Sequence, residues 1–170
     1  RLNAACASLL LRFVSAVRMG VGLPFAIPNP FEPCPSLVVF ALTEGSAVAL
    51  REGGRWWLWD CGNESAVQTV VTPALSRYGV NTLDTLILSH GDAAHMGGAF
   101  KVCERFRPMR ILEGPIKSRS VVRKRVYGEL RRAGWTLDTV KAGNTLRDDS
   151  LVRVEILYPS ESGNGVRAQD

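Results

Sequence analysis

Apolar and polar positions along this chain follow two different periods, and the change from one to the other marks its elements. Ser36–Leu42 is an apolar run of strand length, Ala47–Arg51 is a second and Arg55–Trp59 a third. Glu52-Gly53-Gly54 supplies the hairpin turn between the last two. From Glu64 to Tyr78 the spacing becomes helical, with Val67, Val70, Val71, Ala74, Leu75 and Tyr78 on one face. Pro73 inside that pattern predicts a kink, and Gly79 ends it.

Leu83–Leu88 reads as a buried strand, Ala99–Arg105 as a short helix opened by Gly97-Gly98, and Met109–Glu113 as another strand. Ser118–Ala133 reads as a helix with Val122, Val126, Tyr127, Leu130 and Ala133 inward, closed by Gly134. Thr136–Val140 is a short strand, Asn144–Ser150 a polar turn, and Leu151–Tyr158 a last strand. The order is three strands in a meander, then helix and strand in alternation. It predicts an α/β fold, a mixed sheet with helices packed on it.

Ahead of this lies a different pattern. Residues 1–20 read as a mostly apolar helix carrying Arg12 and Arg18, a packing helix or one lying at a membrane interface. Pro24, Pro28, Pro30, Pro33 and Pro35 then forbid helix and central strand alike and predict a stiff connector. The domain boundary is placed between 35 and 36. No apolar run reaches the length of a membrane span, and no cleavage site of a signal peptide follows Leu2–Leu11. Both ends read as cut from something longer.

Composition narrows the class. A chain of 170 residues with 46% hydrophobic content supports one ordinary core. Cys6, Cys34, Cys61 and Cys103 are scattered, with neither a zinc-ribbon spacing nor a disulfide framework. The net charge of +5 is uneven. Residues 117–132 hold Lys117, Arg119, Arg123, Lys124, Arg125, Arg131 and Arg132 against Glu129. Such a patch suits a polyanion or an anionic membrane surface, or it is simply a solvated helix face.

The candidate chemistry sits in one loop. His90 and His95, the two histidines of the sequence, flank Asp92 directly after the Leu83–Leu88 strand. Imidazole and carboxylate are the ligands of zinc, manganese and iron, and a loop at the end of a rigid strand lets them converge.

The stretch His90-Gly91-Asp92-Ala93-Ala94-His95-Met96-Gly97-Gly98 resembles the His-x-His-x-Asp-His signature of the metallo-β-lactamase superfamily, in its His-x-Asp-x-Asp-His-x-Gly-Gly form. Trp57-Leu58-Trp59-Asp60-Cys61-Gly62 looks like that family's strand ending in Asp. Within the superfamily the chain is most similar to the hydrolase-like domain of the ComEC family of competence proteins. The run from Val70 to Asp84 and Val154-Glu155-Ile156-Leu157-Tyr158-Pro159 also match there.

The resemblance implies an incomplete αββα sandwich: residues 36–170 would be the N-terminal part of the domain, and 1–35 the connector from a preceding membrane region. It also implies a divalent metal, zinc or manganese, with no small-molecule cofactor. His90 and Asp92 would serve a first ion and His95 a second, with Asp92 catalytic and Asp60 supporting the loop. The partners implied are a DNA strand, single-stranded, and the membrane channel of the same parent protein in a bacterial cell membrane. The DNA contacts expected are Lys117, Arg119, Arg123, Lys124 and Arg125.

Three departures count against hydrolysis. Ala94 stands where the family has a metal-binding aspartate. Ala41 and Ser46 stand where the family's upstream phrase carries acids, although Gly45 survives. A third histidine is lacking, and Asp148 and Asp149 do not match the family's later ligand. Three readings follow: a metal-dependent phosphodiesterase acting on transported DNA, a degenerate domain kept for DNA binding or architecture, and a small-molecule metallohydrolase.

Overall fold

The computed structural model describes residues 35–115, 120–148 and 152–157. The readings for the connector before Pro35, and for Lys117, Arg119 and Asp149, lie outside these residues.

Among the described residues, six strands form one sheet in chain order. β1 (Ser36–Val39), β2 (Val48–Glu52) and β3 (Arg55–Trp59) are the antiparallel meander. β4 (Thr85–Leu88), β5 (Arg110–Glu113) and β6 (Asp138–Thr139) join β3 in parallel. Parallel neighbours need helical crossovers, and the helical stretches of the sequence provide them. The glycine pair at the hairpin takes φ of 56° and 81°, the left-handed turn that a two-residue β2–β3 connection requires.

The first crossover is α1 (Glu64–Ala66), a π turn (Val67–Val71) and α2 (Thr72–Arg77). Pro73 has no N–H for the carbonyl four residues back, and the helix answers the proline with the wider turn just before it. Gly79 at φ 73° ends α2, with Val80 N–H donating to the Leu75 carbonyl at 3.0 Å and Gly79 N–H to that of Ser76. The second crossover holds α3 (Ala93–Met96) and α4 (Ala99–Phe106), and the third is α5 (Val121–Arg132), capped by Ser120.

The register sorts the strand residues onto two faces. Leu58, Leu86 and Ile111 point toward the helices and join Val67, Leu75, Val102, Phe106, Val126 and Leu130 in the main core. Trp57, Ile87 and Leu112 point the other way, with Val140, Leu146, Val154 and Ile156. A separate hairpin, β7 (Thr145–Asp148) with β8 (Arg153–Glu155), covers that second face in part. Leu37 and Val39, on the same face by register, stay 65% and 70% exposed.

Two expectations are corrected. Asn144–Ser150 is not simply a polar turn, because Thr145–Asp148 is a strand paired with β8. The polarity of Arg147 serves an ion pair, its Nε lying 2.7 Å from the buried carboxylate of Glu52. Ala133 is exposed, not inward. The chain reverses at Gly134 (φ 86°), Trp135 N–H bonds the Leu130 carbonyl at 2.9 Å, and Trp135 packs on the core instead.

Candidate functional site

The histidine loop leaves the C-terminal end of β4, in the middle of the parallel strands. Its first half is irregular, bending at Gly91 and Asp92, and its second half is α3 itself. Asp92 caps that helix: its carboxylate accepts the His95 N–H at 2.9 Å, satisfying one of the unpaired donors of the first turn. Asp92 is exposed and its nearer oxygen is engaged in this cap.

His90 on the loop and His95 on α3 meet, with ring centroids 5.1 Å apart at 39°. Their Nδ1 atoms are both held. His95 Nδ1 lies 3.0 Å from Asp60 Oδ2 and 3.2 Å from Ser46 Oγ. His90 Nδ1 lies 3.1 Å from Ser89 Oγ.

Asp60 is the hub. It follows β3 with a left-handed backbone, φ 51°, which aspartate tolerates better than most residues, and it is 5% exposed. Its carboxylate accepts the Ser89 N–H at 2.8 Å, the Ser89 hydroxyl at 2.5 Å and the Ser46 hydroxyl at 3.2 Å, besides facing His95. Ser89 Oγ therefore donates to Asp60 and can accept from His90 Nδ1–H. Three loops meet on one carboxylate. Backbone bonds reinforce the junction: Cys61 N–H donates to the His95 carbonyl at 2.9 Å and Gly98 N–H to that of Gly62 at 3.0 Å.

The loop between β1 and β2 closes over α3 at very short range. A Cβ on Gly45 would lie 1.7 Å from the Ala94 carbonyl oxygen and 2.9 Å from its Cβ, and Gly45 sits at φ 81°. The methyl of Ala94 thus lies beside Gly45, where the family pattern has a carboxylate.

These donors do not fit a catalytic metal centre. Such a centre takes three protein ligands. Here two imidazoles converge, Asp92 caps α3, Asp60 serves four hydrogen-bonding partners, and position 94 offers no lone pair. Among the described residues no group of three His, Cys, Asp or Glu side chains is placed to hold an ion. Asp60 supports the loop as the sequence suggested. Ser46, in the upstream phrase, and Ser89, next to the quoted histidine motif, have roles that sequence reasoning missed, because a serine in a loop carries no distinguishing spacing.

The basic helix is divided in its use. Arg123 is turned inward: its Nη2 lies 2.7 Å from Glu113 Oε2, both side chains less than one-fifth exposed, and its guanidinium stacks 4.3 Å over the Tyr127 ring. The Tyr127 hydroxyl also bonds Glu113. Arg123, expected from the sequence to contact phosphate, is thereby engaged in a partly buried charge cluster. Burial and Glu113 together push the Tyr127 hydroxyl up, and its bond to Glu113 raises the Arg123 guanidinium against the effect of burial. Lys124 is exposed, and Arg125 lies half exposed 3.5 Å from Glu64 Oε1.

A family model described as the metallo-beta-lactamase superfamily matches residues 42–159. The competence protein ComA of Neisseria gonorrhoeae is 34% identical over 110 residues, covering 56% of this chain, which spans 15% of that protein's length. Among solved structures, a metallo-beta-lactamase motif mutant from Cronobacter sakazakii has a TM-score of 0.48 at 15% identity, covering 67% of this chain and 50% of its own. MEM-A1, a subclass B3 metallo-beta-lactamase from a soil metagenome library, gives 0.48 at 16% identity, covering 70% and 50%.

Proposed function

This chain belongs to the metallo-beta-lactamase superfamily, and we propose that it is a hydrolase-like domain of a competence-type DNA-uptake protein in which DNA contact and architecture have outlasted hydrolysis. The observation that carries the reading is the donor set of the loop: a methyl at Ala94, a helix cap at Asp92, and an Asp60 carboxylate committed to Ser46, Ser89 and His95. Among the described residues no third side chain is placed to complete a site with His90 and His95, and the loop is held as a hydrogen-bonded junction.

The kinship to a competence protein supports DNA as the partner and the membrane channel of a larger parent as the neighbour, in a bacterial cell membrane. Lys124 and Arg125 are exposed cations in the first half of α5 through which phosphates would be held, with affinity falling steeply as salt rises. Tyr127 is buried, so base stacking is not part of this contact.

One observation favours the phosphodiesterase as a second reading. Both Nδ1 atoms are engaged by oxygen, which is how ligating histidines are commonly oriented.

The experiment is incubation of labelled single- and double-stranded oligonucleotides with the chain in manganese or zinc. Salt-sensitive binding without cleavage, weakened by Lys124→Ala with Arg125→Ala, is the expected result. Metal-dependent cleavage abolished by His95→Ala would overturn it in favour of the enzyme.

A further inference from the structure

We infer that the edge of the sheet opposite the histidine loop is a docking surface for an anionic phospholipid bilayer. The crossover helices run antiparallel to β3–β6, so their C-terminal ends gather at the N-terminal ends of those strands, away from the loop after β4. Arg77, Arg105, Arg131 and Arg132 occupy the last turns of α2, α4 and α5. Cations there complement the helix carbonyls, which accounts for these four without a ligand.

It does not account for the rest. Arg55 and Arg110 begin β3 and β5 at the same edge, 57% and 50% exposed, and Arg107 is exposed in the turn between α4 and β5. Met109 stands between Arg107 and Arg110 at 79% exposure, while its neighbour Pro108 is buried. Tyr78, beside Arg77, is 41% exposed.

The rim is held in place. Met109 N–H donates to the Leu83 carbonyl, Leu83 N–H to that of Phe106, and Arg105 Nη2 reaches Ser76 Oγ at 3.4 Å. The acids nearby do not cancel the charge. Asp84 and Asp138 each lie 4.0 Å from one arginine, Glu104 lies 3.3 Å from Lys101, and Glu129 remains on α5. Arg107 and Arg110 thus flank an outward thioether, at an edge that also carries Arg55 and the arginines of the helix ends.

An exposed apolar side chain flanked by arginines at a basic edge suits the boundary between lipid headgroups and acyl chains. A nucleic-acid strand would have little to stack on, because the Tyr78 ring packs against Trp56 at 5.4 Å. Among the described residues no helix is long and apolar enough to cross a membrane.

Vesicle sedimentation of the full chain tests this, using phosphatidylcholine alone and phosphatidylcholine with phosphatidylglycerol. Residues 1–34 are the same in every variant, so differences report the edge. Arg107→Glu with Arg110→Glu is expected to lower partitioning onto the anionic vesicles by about 10-fold or more. Met109→Ser is expected to lower it several-fold at constant charge, and Arg131→Glu with Arg132→Glu reads the same surface from a helix end. Neutral vesicles should not distinguish any of them. Equal partitioning of wild type and both charge-reversal variants would overturn the inference. So would reversals that weaken a single-stranded oligonucleotide and spare the vesicles, which would make the edge a nucleic-acid surface. Urea midpoints of each variant identify any that does not fold.

Discussion

Asp60 Oδ2 lies 3.0 Å from His95 Nδ1, and the same carboxylate carries the amide and hydroxyl of Ser89 and the hydroxyl of Ser46. Removing it leaves buried donors without a partner and puts alanine at a left-handed backbone position. Asp60→Ala is expected to cost about 3 kcal/mol. Asp60→Asn keeps the shape and suits the positive φ, so about 1 kcal/mol is expected. Urea denaturation of the two variants measures both, and equal costs would contradict the hub role.

The approach of Gly45 to Ala94 makes a sharper prediction. A methyl on Gly45 would sit inside van der Waals contact of the Ala94 carbonyl, at a φ of 81°. Gly45→Ala is expected to cost about 3 kcal/mol or more. Gly53→Ala, also at positive φ but with nothing within 4 Å, is expected to cost about 1 kcal/mol. Thermal or urea melts of the two rank them.

The charge cluster on α5 separates stability from binding. Arg123→Ala leaves the Glu113 carboxylate, at 13% side-chain exposure, without its cation and with the Tyr127 hydroxyl still donating to it, and a loss of about 2 kcal/mol is expected. Lys124→Ala is exposed and is expected to change stability by less than about 0.5 kcal/mol while weakening DNA binding and flattening its salt dependence. The pair is compared by urea midpoint and by oligonucleotide titration at two salt concentrations.

Cys61 and Cys103 are fully buried, and burial pushes both thiols up, Cys103 to about 12. In a chain with Cys6→Ser and Cys34→Ser, a thiol reagent at neutral pH is expected to find no fast site until urea exposes two. Because the folded values lie above the unfolded one, the stability these groups contribute is complete below about pH 8.5 and falls as pH rises beyond it. A urea midpoint that drops between neutral pH and pH 10 checks the sign.

Much of this arrangement was legible in the residues. Arg55–Trp59 has the expected bounds, and the strand that delivers the histidines, Thr85–Leu88, falls inside the expected Leu83–Leu88 because Leu86-Ile87-Leu88 reads the same in sequence and in a sheet buried on both faces. The family likeness rested on Trp57–Gly62 and His90–Gly98, and the family match spans both. What escaped was any residue whose partner is distant in sequence. Arg123 looked like one more surface cation because Glu113, ten positions earlier, gives no sign of facing it. Arg147 looked like part of a turn because its partner Glu52 lies on another strand. Ser46 and Ser89 became informative only when three loops were seen to share Asp60.

Divalent-ion dependence of the melt, read with the metal content of the purified chain, tests the central claim most directly. If Asp60, Ser46, Ser89 and His95 join the three loops without an ion, the chain melts at one temperature in chelator, zinc or manganese, and carries well under one ion per molecule. A stoichiometric ion whose removal lowers the melting temperature, with His90→Ala and His95→Ala each losing it, would contradict the account.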